Sequence, residues 1–160
     1  MAIDFITLTN LVDSSVSIIL NDASISSFCT TNYGQDIFIY NGMDLSNLPG
    51  EGNTPYVIIF KDAERIGEAV SNYRYELGFQ VTIFDENIDS TTTRVEKQLG
   101  EERVEQLTLL IYDALRRDMP CNGNVDDADI MIDSSQHPLY TGMMVIGFNI
   151  PKPIGSSVIL

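Results

Sequence analysis

The residues in this chain best supplied for chemistry are acids, and their spacing decides whether they can perform any. The densest group lies in NGNVDDADIMID, residues 122–133. Set against a calcium loop, Asn122, Asn124, Asp126 and Asp133 take the first, third, fifth and twelfth places of an EF-hand. The sixth place, where glycine makes the sharp turn, is Asp127, and the twelfth lacks the bidentate Glu. Ile130, Met131 and Ile132 resemble a strand and not the entry to a second helix. A solvated acidic turn before an edge strand is the reading these residues favour. His137 sits in a loop, SSQHP, with no second His and no Cys beside it, so it is expected to be an ordinary loop histidine. Cys29 and Cys121 are far apart and outside any CxxC or Cys/His cluster, which predicts two reduced thiols. No G-x-S-x-G, Walker A, G-x-G-x-x-G or H-E-x-x-H pattern occurs. Carboxylates are plentiful, but nothing in the sequence pairs two of them in an apolar setting. The expectation is therefore no catalytic residue, no cofactor and no metal.

Charge narrows the partners. Nine basic residues against 23 acidic ones give a formal net charge of −14. Residues 1–60 hold six acids and no Lys or Arg, whereas residues 61–118 hold 13 acids and eight bases. Such a surface repels phosphate, so binding to nucleic acid through counterion release is not expected. Acidity either serves solubility or lets a surface sit close to DNA without adhering. No apolar run is long enough to span a membrane, and MAIDFITLTN has no basic region ahead of its apolar residues, so neither a span nor a secretory signal is expected. At 160 residues and 44% hydrophobic content, the chain can bury a real core as one domain.

The elements that would position these residues are read from periodicity. Residues 73–84, YRYELGFQVTIF, alternate Tyr73, Tyr75, Leu77, Phe79, Val81 and Ile83 against Arg74, Glu76, Gly78, Gln80, Thr82 and Phe84. That is a strand with one buried and one polar face. At roughly 3.3 Å per residue it would run about 40 Å, twice the usual length. Residues 7–20 predict a helix placing Val12, Val16, Ile19 and Leu20 on one face, capped by Thr9 or Asn10. DIFIY (36–40) and YVIIF (56–60) read as strands, and the Gly- and Pro-rich stretch between them as a loop within a loop-rich insertion, 27–55. KDAERIGEAVSN (61–72) fits either a short helix or the open end of a hairpin, with the hairpin favoured. ENIDSTTTR is a polar link. Residues 99–118 predict a helix with the apolar stripe Val104, Leu107, Leu110, Ile111, Ala114 and Leu115, acids in its first turns and Arg116 and Arg117 in its last. Strands follow at 129–133 and 140–150, and residues 152–160 are a tail. The sum is an α+β fold: a mixed, mostly antiparallel sheet with a long hairpin and helices packed on one face.

PYVIIF, a loop, YELGFQVTIFDE, VEQLTLLIYDAL, an acidic-turn strand and YTGMMVIGFNI, in that order, resemble the tail terminator and tail-completion (neck) proteins of long-tailed bacteriophages over roughly residues 5 to 151. The resemblance implies a virion protein, assembled in the host cytoplasm, that forms a ring, usually a hexamer, at the head-proximal end of the tail. Such a ring ends tube polymerisation and meets the tail tube protein on one side and a head-completion protein on the other. DNA passes through its lumen without specific binding, and there is no catalytic residue. On that footing the polar flank Arg74, Glu76, Gln80 and Thr82, with Lys61 and Arg65 on the hairpin, is the candidate subunit or tube interface. The long hairpin either reaches out as an arm or bends over its own core. The alternatives are another neck or tube structural protein, or a small acidic enzyme or ligand-binding domain whose site leaves no trace in the sequence.

Overall fold

The computed structural model describes residues 6–65, 72–133 and 136–151. The chain opens with two helices where the sequence reading has one. The first, α1, spans Leu8–Asn21. Its cap is Thr7, not Thr9 or Asn10: the Thr7 side chain accepts the Asn10 amide at 3.1 Å while Asn10 Oδ1 accepts the Thr7 amide at 2.9 Å. Asn10 thus fills the third helical place of a capping box. The phase also shifts, since α1 buries Leu11, Val12, Ser15 and Ile19 and leaves Leu20 exposed.

Asp22 breaks α1 and at once caps α2, Ala23–Tyr33, by accepting the Ile25 amide at 2.9 Å. Gly34, at φ 72°, closes α2 in the left-handed region that glycine tolerates. This corrects the reading of 27–55 as loop-rich, because residues 27–33 complete a helix. ASISSFCTTNY has weak helix propensity, so the cap and the buried pair Ile25 and Cys29, one turn apart, outweigh its composition.

The strands follow: β1 Phe38–Asn41, β2 Tyr56–Arg65, β3 Asn72–Phe84, a small ribbon of β4 Ile88–Asp89 and β5 Lys97–Gln98 inside the polar link, then α3 Leu99–Asp118, β6 Asn124–Asp133 and β7 Leu139–Pro151. Residues 61–65 continue β2 past a bulge between Lys61 and Ala63, which favours the hairpin over the helix for that stretch. The rest of the hairpin end, 66–71, and the tail, 152–160, lie outside the described residues. The last acidic segment is all strand: β6 starts at Asn124, not 129, so Asn124, Asp126 and Asp133 are spread along an extended strand and not wrapped in a loop. That disposes of the EF-hand arrangement.

The main sheet runs β1-β2-β3-β7-β6, with β1 parallel to β2 and every other neighbour antiparallel. β3 is its central strand and pairs with β7 over all thirteen residues, from Asn72 opposite Pro151 to Phe84 opposite Leu139. Within the described residues the long strand therefore stays inside the sheet instead of leaving it as an arm. Its odd-numbered residues point to the helices, and all six, Tyr73 to Ile83, are buried. They join Val57 and Ile59 of β2, Met144, Ile146 and Phe148 of β7 and the α3 stripe in one core cluster. A 20-residue helix covers about 30 Å, and a 13-residue strand runs about 43 Å. The excess at the Tyr73–Tyr75 end meets other cover. Tyr75 Oη donates to the Ile6 carbonyl, and Cys121, in a single 3₁₀ turn at Pro120–Asn122, packs on the core. Gly142 lets α3 lie close on β7, since a Cβ there would come within 2.3 Å of Thr108 Oγ1.

Candidate subunit interface

The even-numbered residues of β3 face away from the helices, and the sheet register assembles their neighbours. Arg74 is the hub. Its guanidinium donates to Asp127 Oδ1 at 2.8 Å and Glu76 Oε1 at 3.3 Å, and also reaches the Asp126 carboxylate. Gly147 of β7 lies between: a Cβ there would fall 2.6 Å from Arg74 Nη2. Hydrogen bonding to Asp127 raises the Arg74 pKa, helped by the fields of Asp127 and Asp126 against some desolvation. Three carboxylates on one guanidinium leave a surplus of negative charge, and the group is open to solvent, with Asp127 at 68% exposure. Asp126 and Asp127 are missed by sequence reading because they stand 52 and 53 residues from Arg74. The register of β3, β7 and β6 alone brings them together.

The other candidates separate. Gln80 is half-buried beside Ile58 and Met143. Thr82 is buried at 1% exposure, with its hydroxyl 3.5 Å from that of Thr141, and offers no surface in the isolated chain. Lys61 is exposed and donates to Thr9 Oγ1 at 2.8 Å. Arg65 is exposed, stands in register opposite Arg74, and has no carboxylate partner among the described residues.

At the other end of β3 a second charge group has the opposite character. The Asp85 side chain is wholly buried. It accepts from Arg103 Nη1 at 2.7 Å, from the Asn87 amide and side chain at 2.9 and 2.7 Å, and from Tyr33 Oη at 3.1 Å. Burial pushes its pKa up, but the Arg103 and Asn87 hydrogen bonds outweigh that and hold it below the usual carboxylate value. Every lone pair in reach is engaged, which ties β3, α2, α3 and the polar link together. This carboxylate is a fastening, not a base awaiting a proton. The Cys29 thiol is likewise unsuited to attack, because burial and then Asp36 push its pKa up to about 12. His137 contacts Tyr140 Oη at 2.6 Å, which in turn donates to Gln98 Oε1 at 2.8 Å.

The sheet's outer surface near β1 carries a cleft of about 410 Å³ between the 42–49 loop and the pair Tyr40 and Ile58. Leu45 and Leu48 stand exposed on that loop. Among the described residues no three His, Cys, Asp or Glu side chains converge to hold a metal, and no described helix is long and apolar enough to cross a membrane.

No protein-family model matches the chain, and no curated protein matches it. A solved structure does. Its source is the virion of a native gene transfer agent (GTA) particle, and the two chains superpose with a TM-score of 0.58 over 92% of this chain and 99% of that one. Sequence identity is 12%, so the fold is what they share.

Proposed function

We propose that this chain is a virion structural protein, a single tail-terminator-like unit that forms a ring at the head-proximal end of a phage-type tail. The observation that carries the proposal is the fold likeness to a virion chain, which runs nearly end to end in both molecules. It agrees with the resemblance read from the order of the strands and α3. The charge supports the same role. Rings close when a head-to-tail interface repeats by rotation, and a hexamer is what the resemblance implies. A lumen lined by carboxylates repels phosphate at every point, so DNA slides through without adhering. The ring ends tube growth because the surface it turns to the head no longer matches the tube, and it receives the head-completion protein there. Its work is association, and it needs no catalytic residue, cofactor or metal. It belongs in the virion and is assembled in the host cytoplasm.

Sedimentation of the purified chain, alone and mixed with the tail tube protein of its own particle, tests the ring. A species far above 17.8 kDa in at least one condition is expected. Deleting the gene should leave tubes of uncontrolled length that never acquire heads. Tubes of normal length lacking only heads would move the protein to the head-completion role.

A further inference from the structure

Among the described residues, two backbone edges on opposite sides of the sheet are open, and they differ in charge. One is β6, ten residues with only β7 beside it. Four of its ten residues are Asp and none is basic. The other is the far half of β2: β1 pairs only Tyr56–Ile59, so residues 60–65 have β3 on one side and nothing described on the other. That half carries the bases Lys61 and Arg65 together with the acids Asp62 and Glu64, so it is balanced in charge where β6 is acidic.

The bases are the informative part. Among the described residues, Arg74, Lys97, Arg103, Arg116 and Arg117 each reach a carboxylate of this chain. Arg65 reaches none, although it stands directly across from Arg74. Like charges opposite each other on one sheet face are unfavourable unless an anion intervenes, and Arg74 has already drawn in the nearby ones. A protomer of net charge −14 also repels its copies, so a lasting contact between copies must spend its few unpaired bases on the partner's acids.

We infer that the β6 edge of one protomer pairs with the far half of β2 in the next, extending one sheet around the ring, with Arg65 set against Asp129 of the adjoining copy. Asp129 is exposed and, like Arg65, lies on the sheet face turned from the helices. Direction agrees: β2 and β6 run oppositely within the sheet, and a rotation about an axis along the strands preserves that, so the edges meet antiparallel. Setting Arg65 opposite Asp129 in that sense sets Ala63 opposite Met131, a small residue against a large one that is 68% exposed. Charged edges and bulges also serve to keep sheets apart. Here Arg65 and Asp129 are complementary, and the same register sets Glu64 and Asp62 opposite Ile130 and Ile132 instead of opposite acids, which favours selection of a partner over exclusion.

This inference rests on the ring proposed above, and the test separates the two. Full-length wild type, Arg65→Asp, Asp129→Arg and the double swap are sedimented with and without the tube protein, with circular dichroism confirming the fold of each. Each single reversal should raise the concentration for half-assembly about tenfold or more, and the double swap should recover most of it. An Ala63→Cys/Met131→Cys chain, oxidised gently, should give a ladder of covalent multimers, whereas either single variant stops at a dimer or below. A wild-type ring that ignores both reversals, or a folded double swap that stays as impaired as the singles, overturns the edge pairing and leaves the ring standing. A wild-type chain that is monomeric in both conditions overturns both.

Discussion

The two ends of β3 hold the same chemistry to opposite purpose. At Asp85 a carboxylate meets an arginine, an asparagine and a tyrosine with its side chain wholly out of solvent, and all its hydrogen bonds are made within the chain. At Arg74 an arginine meets three carboxylates on an open surface where 29% of its own side chain remains exposed. Burial is what differs. A buried pair is costly to break because the abandoned charge cannot rehydrate, while an exposed pair is screened and contributes little. The first end locks the fold, and the second adds little to it.

The largest effect should come from stranding the buried charge. Arg103→Ala leaves Asp85 without its counter-ion and should cost about 3 kcal/mol by denaturant titration, lowering Tm by roughly 6–12 °C. The pH dependence of stability sharpens the contrast. The folded-state pKa of Asp85 is lowered from 3.8, so its contribution is present above about pH 4 and is lost as the pH falls through the folded value. Wild type should therefore lose stability to urea below pH 4 more steeply than Asp85→Asn, which has already lost that contribution. Equal slopes would remove Asp85 from its fastening role. Asp22 is intermediate, with its carboxylate 5% exposed, capping α2 and meeting the half-exposed Arg117 at 2.5 Å. Asp22→Ala should cost about 1–2 kcal/mol, read by the same titration. The smallest change belongs to the open end: Arg74→Ala should alter monomer stability by no more than about 1 kcal/mol, an effect that fades with added salt. A cost near that of Arg103→Ala would erase the distinction between the ends.

How much of this was legible in the sequence depended on the range of the signal. The inward face of β3, the span and stripe of α3 and the faces of β7 follow from periodicity and were readable residue by residue. The fold class followed from their order. α2 was hidden because its serines and threonines read as loop, yet Asp22 with Ile25 and Cys29 was a usable cap-and-stripe signal. The extension of β6 back to Asn124 was obscured by aspartates that seldom sit in strands, tolerated here on an edge and through a bulge at Asp126. Thr82 looked available from alternation, but alternation assigns a face and not its exposure. The Arg74 and Asp85 groups could not be read at all, because their partners are distant in sequence and only the sheet register and the packing of α2 and α3 join them.

The central claim is that this polypeptide works by being joined to copies of itself in a virion. The most direct measurement is electron cryomicroscopy of the intact particle's neck, with the chain fitted into the density between tail tube and head. The account predicts a closed ring of identical copies there, adjoining the last tube layer. Density at that level that this fold cannot fill, or purified particles from which the chain is missing by mass spectrometry, would contradict it.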